Sequence, residues 1–480
     1  DALLRYPYGC LEQSTSSTYP WLFATEKNLQ QMGLQNKTGK NRLQSIEHGL
    51  QRIAKKQLSN GGYGLWSNKD SESQWLTAYV GDFISDARAK GIDVGKEQFN
   101  KTMKRLEDYV SKRNGNFGHP WNDYDGHYSF AYRAYAAYVL SRHQKANLSK
   151  LYSLLRHDSE HTRSFLPLVH LGLALHNQGD NKLSEEVLDH AFTLTRGDRY
   201  YADYGSDIRD AALAVHLLLR HQLRMDKARE LGIELVDKLQ QRRYLSTQER
   251  NSLFLAGLAL ETNFAKEWQA DLALKGAIET LKYTGSFAQK YDYTDLQEGI
   301  KVVNRGKGDL WVDVDFQGHG TKPPKVQRSK NLSISRDYFD TKGKMIDPSQ
   351  LTVGDLVLVR LQLGTARRAP DVMVVDLLPA GLELENQNLN HAIKLDEIQF
   401  DKKPVAYWRE QTKIVHQEYR DDRFVAAVDA GYHRSNYIFY LARAVTPGVY
   451  KVPAPFVEDM YRPEDRAVGA TVQSITISNP

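Results

Sequence analysis

The chain has 480 residues, enough for two to four domains and a large apolar core, and its 41% hydrophobic and 26% charged residues fit a folded globular protein rather than a disordered one. Lys plus Arg (64) nearly balance Asp plus Glu (59); the resulting +5 argues against a dedicated nucleic-acid binder, which concentrates basic residues on one face. No stretch approaches the roughly 18 consecutive apolar residues that a membrane span needs.

The chain opens on DALLRYPYGC, without the basic-then-apolar pattern of a signal peptide, and runs at once into a dense motif; it reads as a piece of something longer. Over the first ~290 residues apolar side chains recur at three and four positions, in 45–57, 101–110, 131–140, 164–175, 207–219 and 251–260, which predicts helices. Ser246 followed by Glu249 has the spacing of a capping box, and the Ala-rich run 210–215 lets neighbouring helices approach closely. Two Gly-rich, aromatic-bearing turns, 60–66 and 114–121, each stand between a polar helix and a more apolar one. Their spacing of about fifty residues predicts stacked helical hairpins, in a solenoid or closed into a ring.

After about Gly285 the texture changes to period two. Segments 300–303 and 310–316 alternate as half-buried strands do, and 318–324 is a Gly/Pro-rich linker. Further alternating runs follow at 332–335, 356–363, 372–377, 424–428, 437–443 and 470–477, with turn signals at 378–381 and 446–448. About seven strands in ~150 residues predict an antiparallel β-sandwich.

The chemistry-bearing motif is Tyr6-Pro7-Tyr8-Gly9-Cys10-Leu11-Glu12-Gln13, just ahead of an apolar segment at 19–24. Cys10 is the single cysteine, which rules out an intrachain disulfide; taken alone, such a residue is a small buried hydrophobe. If Cys10 opens a helix, Gln13 lies three residues on along the same face, and the dipole favours a thiolate there. The sulfur then reaches the Gln13 carboxamide carbon. Loss of ammonia leaves an internal thioester, an acylating agent that keeps its reactivity until an amine or water arrives.

Pro-x-Gly-Cys-x-Glu-Gln resembles the thioester signature of the α2-macroglobulin and complement family, with Pro7, Gly9, Cys10, Glu12 and Gln13 matching and Leu11 standing where vertebrate members commonly have Gly. The resemblance covers the whole chain but only the last third of a family member. It implies a multidomain α + β chain: an α/α-toroid thioester domain at 1–290, a returning CUB-like β segment at 291–322, and a macroglobulin-like antiparallel β-sandwich at 323–480. It further implies a broad-spectrum protease inhibitor that is spent in a single use and is no turnover enzyme. A protease Lys amine attacks the Gln13 acyl carbon, and neither metal nor cofactor is needed. In family members a His or Asn from a later turn steers the acceptor, and the matching position is His127, whose alternative is a solvated loop histidine. Water has to be excluded, a role that falls to Tyr6 and Tyr8 beside the motif and to Met460 and Tyr461 in the β region, where ordinary strand packing is the alternative. The lack of disulfides resembles the bacterial branch. This implies a monomeric periplasmic lipoprotein in bacterial defence, anchored through a missing N-terminal region, with a penicillin-binding protein as a further partner and no nucleic acid.

Two other readings come from the residues. His157-Asp158-Ser159-Glu160-His161 fits the H-x-x-E-H pattern of zinc metallopeptidases, with Glu234 as a further carboxylate, although those enzymes are not all-helical. The third is an interaction module whose thioester is vestigial.

Overall fold

The computed structural model describes residues 9–24, 40–111, 126–197, 200–314, 316, 318, 325–385, 393–432 and 436–480. They fall into two compact units, one comprising 1–242 and 247–314, the other 243–246 and 315–480.

The first unit contains, among the described residues, helices α1 (Leu11–Phe23), α2 (Lys40–Ala54), α3 (Gln74–Ala89), α4 (Lys96–Ser111), α5 (His127–Ser141), α6 (Leu148–Asp158), α7 (Leu166–Asn177), α8 (Asn181–Ala191), α9 (Asp207–Arg220), α10 (Met225–Gln240) and α11 (Thr247–Phe264). Alternate helices form an inner ring: α1 packs on α3, α3 on α5, α5 on α7, α7 on α9, α9 on α11, and α11 returns to α1. The others lie outside, α2 on α1, α4 on α3 and α5, α6 on α5 and α7, α8 on α7, and α10 on α9. Of the two arrangements open to stacked hairpins, the closed ring is the one adopted. Sequence sorts the layers. Inner α7 is apolar all round and buried from Leu166 to Leu175, whereas outer α4 buries one stripe, Phe99, Thr102, Met103, Leu106, Tyr109 and Val110.

Bonds between residues at similar depth show that α1, α3, α5 and α11 run in the same direction. Ser16 Oγ lies 2.8 Å from Tyr79 Oη, Asn251 Nδ2 donates to Tyr79 Oη at 2.7 Å, and Tyr135 Oη donates to Asp82 at 3.0 Å. Their N-termini therefore share one end of the ring. At the opposite end Asp86 accepts from Tyr19 Oη (2.7 Å), Arg142 Nη2 (2.5 Å) and Arg220 Nη2 (2.7 Å). Burial alone would raise the Asp86 carboxyl pKa, but Arg142 and Arg220 overcome it and hold the group below the usual carboxylate range.

The helical run ends at Phe264, earlier than the periodicity indicated. Strands β1 (Glu267–Leu274) and β2 (Ala277–Thr284) form a hairpin about Lys275-Gly276, both at positive φ, and β3 (Ile300–Asn304) pairs on the other side of β1. In β1 the alternate residues Ala270 and Leu272 are buried, a period of two in a segment too short to separate by eye from a helix turn. The strand expected at 310–316 is not formed over the described residues; Trp311 is 80% exposed, and no described strand pairs with it. Alternation alone does not make a strand without a ladder partner.

In the second unit the strands are β4 (Leu332–Phe339), β5 (Leu351–Thr352), β6 (Leu356–Thr365), β7 (Ala369–Leu377), β8 (Leu382–Leu384), β9 (Gln399–Phe400), β10 (Lys403–Pro404), β11 (Lys413–Arg420), β12 (Arg423–Ala430), β13 (Asn436–Ala444), β14 (Gly448–Lys451), β15 (Phe456–Asp459), β16 (Arg466–Val468) and β17 (Ser474–Ser478), with a short helix α12 (Val405–Gln411). The five-stranded sheet β11-β12-β7-β15-β16 and the four-stranded sheet β4-β6-β13-β8 are antiparallel throughout. Their inner faces share one core, in which Val372, Val374, Phe424, Ala426 and Val428 meet Val357, Val359, Leu361, Ile438 and Tyr440. Phe424 stacks on Tyr440 with ring centroids 4.7 Å apart. The second face of the four-stranded sheet is covered by Leu395, Ile398, Phe400 and Val405. This is the expected β-sandwich, with more strands than sequence alternation alone revealed.

Candidate functional site

Cys10 is the N-cap of α1, with extended backbone (φ −63°, ψ 166°), and Sγ accepts the backbone N–H of Gln13 at 3.4 Å. Gln13 is thus the third residue of the helix. A cap side chain that accepts from the third N–H makes the N-cap half of a capping box. Here a thiol replaces the usual hydroxyl. The cap and the carboxamide are consequently neighbours in the first turn, Cys10 wholly buried and Gln13 1% exposed. The Gln13 N–H and the positive end of α1 both favour negative charge on sulfur, which is what a departing thiolate needs.

The first turn is pinned from outside. The N–H of Leu11 donates to the Leu65 carbonyl at 2.7 Å, so the Gly-rich turn 60–66 satisfies one of the helix's orphan donors. That turn has little freedom: a Cβ on Gly62 would fall 2.0 Å from Glu72 Oε1, and one on Gly64 2.1 Å from the Ser67 carbonyl oxygen. Glu72 in turn holds Arg105 Nε at 2.8 Å. The companion turn at 114–121 lies outside the described residues. Gly9 is half-buried, and its carbonyl accepts from Ser14 Oγ at 3.3 Å. Glu12, fully buried, accepts from Thr247 Oγ1 at 2.5 Å, Gln248 Nε2 at 2.9 Å and Ser16 Oγ at 2.6 Å. These partners carried no sequence signal beyond polar residues opening an apolar helix.

His127 is the first residue of α5 and only 1% exposed, so the solvated-loop alternative does not hold. Nδ1 accepts the Arg163 N–H at 2.9 Å, and Nε2 lies 3.3 Å from Asp203 Oδ2. An accepting Nδ1 puts the proton of a neutral ring on Nε2, facing Asp203. Asp203 is also held by Arg196 Nη2 at 2.5 Å and Arg209 Nη2 at 3.2 Å. Burial opposes ionisation of Asp203, but Arg196, the His127 bond and Arg209 outweigh it and keep the carboxyl well below its ordinary range. The Asp203 contact had no signal in the sequence.

Tyr6 and Tyr8 lie outside the described residues. Met460 and Tyr461 are buried on the turn after β15; Met460 N donates to the Asp371 carbonyl at 2.9 Å and Tyr461 N to Asp459 Oδ1 at 3.1 Å. The H-x-x-E-H reading fails on geometry. Helix α6 stops at Asp158, so His157 and His161 are not successive turns of one helix; Glu160 is 80% exposed, and Glu234 is exposed on α10. Among the described residues no three His, Cys, Asp or Glu side chains are grouped to hold a metal ion.

Residues 1–125 match the family model of the A-macroglobulin TED domain, and residues 332–464 that of the bacterial α2-macroglobulin MG10 domain. The α2-macroglobulin of Escherichia coli (strain K12) is 39% identical over 473 residues, which is 98% of this chain and 28% of that protein. The chain thus spans less than a third of the length of this curated relative. Native E. coli α2-macroglobulin, solved from domain MG7 to the C-terminus, has a TM-score of 0.90 at 37% identity, covering 99% of this chain and 74% of that one. Salmonella α2-macroglobulin reacted with methylamine gives 0.88 at 36%, covering 99% and 30%. Trypsin-activated E. coli α2-macroglobulin gives 0.51 at 36%, covering 98% and 32%. With both domain models, the sequence identity and the fold in agreement, the chain belongs to the bacterial α2-macroglobulin family.

Proposed function

We propose that this chain is the thioester-bearing part of a single-use protease inhibitor. In this reading the helical ring is the thioester domain, residues 323–480 are the macroglobulin-like sandwich, and the strands between are the CUB-like part. The Cys10 thiol adds to the Gln13 carboxamide carbon and ammonia leaves, closing the thioester. A Lys amine of an attacking protease then adds to the same carbon. The amide forms, the C–S bond breaks, and Cys10 departs as a thiol after taking up a proton. The helix N-terminus and the Gln13 N–H stabilise the sulfur as it leaves.

The observation that carries the reading is the first-turn geometry, with Cys10 a buried cap whose Sγ accepts the N–H of buried Gln13. Support comes from relatives described as methylamine-reacted and trypsin-activated. His127 is assigned to acceptor steering, and Tyr6, Tyr8, Met460 and Tyr461 to shielding from water. A periplasmic, lipid-anchored, defensive setting, and a penicillin-binding protein as neighbour, follow from the family resemblance.

Intact-mass measurement tests the reading. Untreated full chain is expected to be lighter than its sequence mass by one ammonia; methylamine is expected to abolish the deficit and expose one titratable thiol. Full mass at the outset, with the thiol already reactive, leaves the vestigial interaction module as the reading.

A further inference from the structure

Glu12 lies between the two reacting residues along the chain, and its carboxylate is fully buried. Desolvating a carboxylate costs several kcal/mol, and a well-packed apolar side chain would close a helix–helix seam as well or better. A carboxylate here is better explained by what it bonds than by packing.

Its bonds show what that is. Glu12 Oε2 accepts from Thr247 Oγ1, and Oε1 accepts from Gln248 Nε2 and Ser16 Oγ. Gln248 Nε2 also reaches Ser16 Oγ at 3.1 Å. Tyr79 on α3 meets Ser16, and Asn251 on α11 donates to Tyr79. Thr247 and Gln248 are the first two residues of α11, the last helix of the ring, while Glu12 is in the first turn of α1, the first helix. The clasp closes the ring at its seam, and does so at the turn that separates Sγ from the Gln13 carboxamide.

We propose that Glu12, clasped by Thr247 and Gln248, is a positioning residue for the acyl transfer, holding the first turn of α1 in the shape that keeps Gln13 against Cys10. The proposal rests on the thioester reading. A helix end left to itself frays, because its first N–H groups lack intrahelical partners. Fraying would separate sulfur and acyl carbon during ring closure and admit water afterwards. A fixed turn supplies the high effective concentration that intramolecular acylation requires.

The test uses full-chain variants Glu12→Gln, Thr247→Val and Thr247→Ser, with methylamine as the probe. Three quantities are read: the fraction of molecules showing the ammonia deficit, the rate of thiol release in buffer well below Tm, and Tm itself. Glu12→Gln and Thr247→Val are expected to lower the fraction and speed thiol release about tenfold or more. Thr247→Ser, which restores the hydroxyl, returns both to wild-type values. A clasp that only holds the ring together would lower Tm in Thr247→Val while fraction and release rate stay at wild-type values, and that result overturns the proposal. Should Glu12→Gln fail to fold, Thr247→Val against Thr247→Ser decides alone. A wild-type chain with no deficit sinks the thioester reading itself, whereas a wild-type deficit unchanged in the variants sinks only the clasp.

Discussion

At the scale of single residues, His127 is the one whose assignment depends most on its surroundings. Its two nitrogens are both engaged, one by the Arg163 amide and one by Asp203. To act on an acyl group, the ring would have to release the Arg163 N–H and expose Nδ1, with Asp203 keeping the proton on Nε2. His127→Ala separates steering from structure. If His127 steers, the ratio of glycerol-type hydroxyl to methylamine products shifts severalfold, as competition assays on the thioester would show. A purely structural histidine leaves that ratio unchanged and costs about 1–3 kcal/mol of stability, through buried groups that lose a partner. The Cys10/Gln13 pair, in contrast, was legible in sequence because spacing within one helical turn is a local property. The partners of Glu12 and His127 were not, since Thr247 and Asp203 are brought in by chain segments far away along the sequence.

At the scale of elements, α1 has an unpromising sequence for a helix, with Ser14, Thr15, Ser16, Ser17 and Thr18 in succession. Three of these hydroxyls turn back onto carbonyls of their own helix, Thr15 to Leu11 O at 2.8 Å, Thr18 to Ser14 O at 2.6 Å and Ser17 to Ser14 O at 3.3 Å. The small side chains also admit α2, where a Cβ on Gly49 would come within 2.1 Å of Thr18 Oγ1. Tertiary packing therefore overrides local propensity in the helix that carries Cys10 and Gln13. The Gly-rich turn beneath it gives a sharp prediction. In Gly64→Ala the new Cβ meets the Ser67 carbonyl, which is backbone and does not swing aside. A loss of about 1–3 kcal/mol is expected, seen as a lower Tm by circular dichroism and as faster thiol release once the Leu11 anchor loosens. Gly308→Ala, in an exposed loop with no atom within 4 Å of its Cβ, is the control and leaves both unchanged. Sequence located this turn by its glycines and aromatics, but could not show that its carbonyl caps α1.

At the scale of the whole molecule, several charges of the inner helices follow the helix dipole. Glu12, Asp207, Asp210 and Glu249 stand in the first turns of their helices, where the dipole favours anions, and Arg142 and Arg220 stand at helix C-termini. Near those arginines three histidines are kept neutral. Burial first, and then the neighbouring guanidinium groups, push His143, His216 and His221 down to about 4. The unfolded values lie near 6.5, so between about pH 4 and 6.5 the unfolded chain binds more protons than the folded one. This contribution to stability is complete above pH 6.5 and is lost as pH falls toward 4. Calorimetry of the helical unit's transition is expected to show Tm falling by at least about 4 °C across that window. The fall should shrink in His221→Gln; a flat profile would contradict the assignment.

Sequence by itself determined the order of a helical unit and a β unit and the placing of Cys10 and Gln13 in one helical turn, because periodicity and i,i+3 spacing are carried within one element. It misjudged 267–284 and 310–316, where a strand exists only if another strand pairs with it. Periodicity left solenoid and ring open, and only the motif's resemblance implied the closed ring that is found; the clasp on Glu12, the Asp203 partner of His127 and the Leu65 anchor were decided by tertiary structure alone. Each joins groups that the chain brings together only by folding, and a hydrogen bond needs the actual distance and direction that no residue pattern encodes.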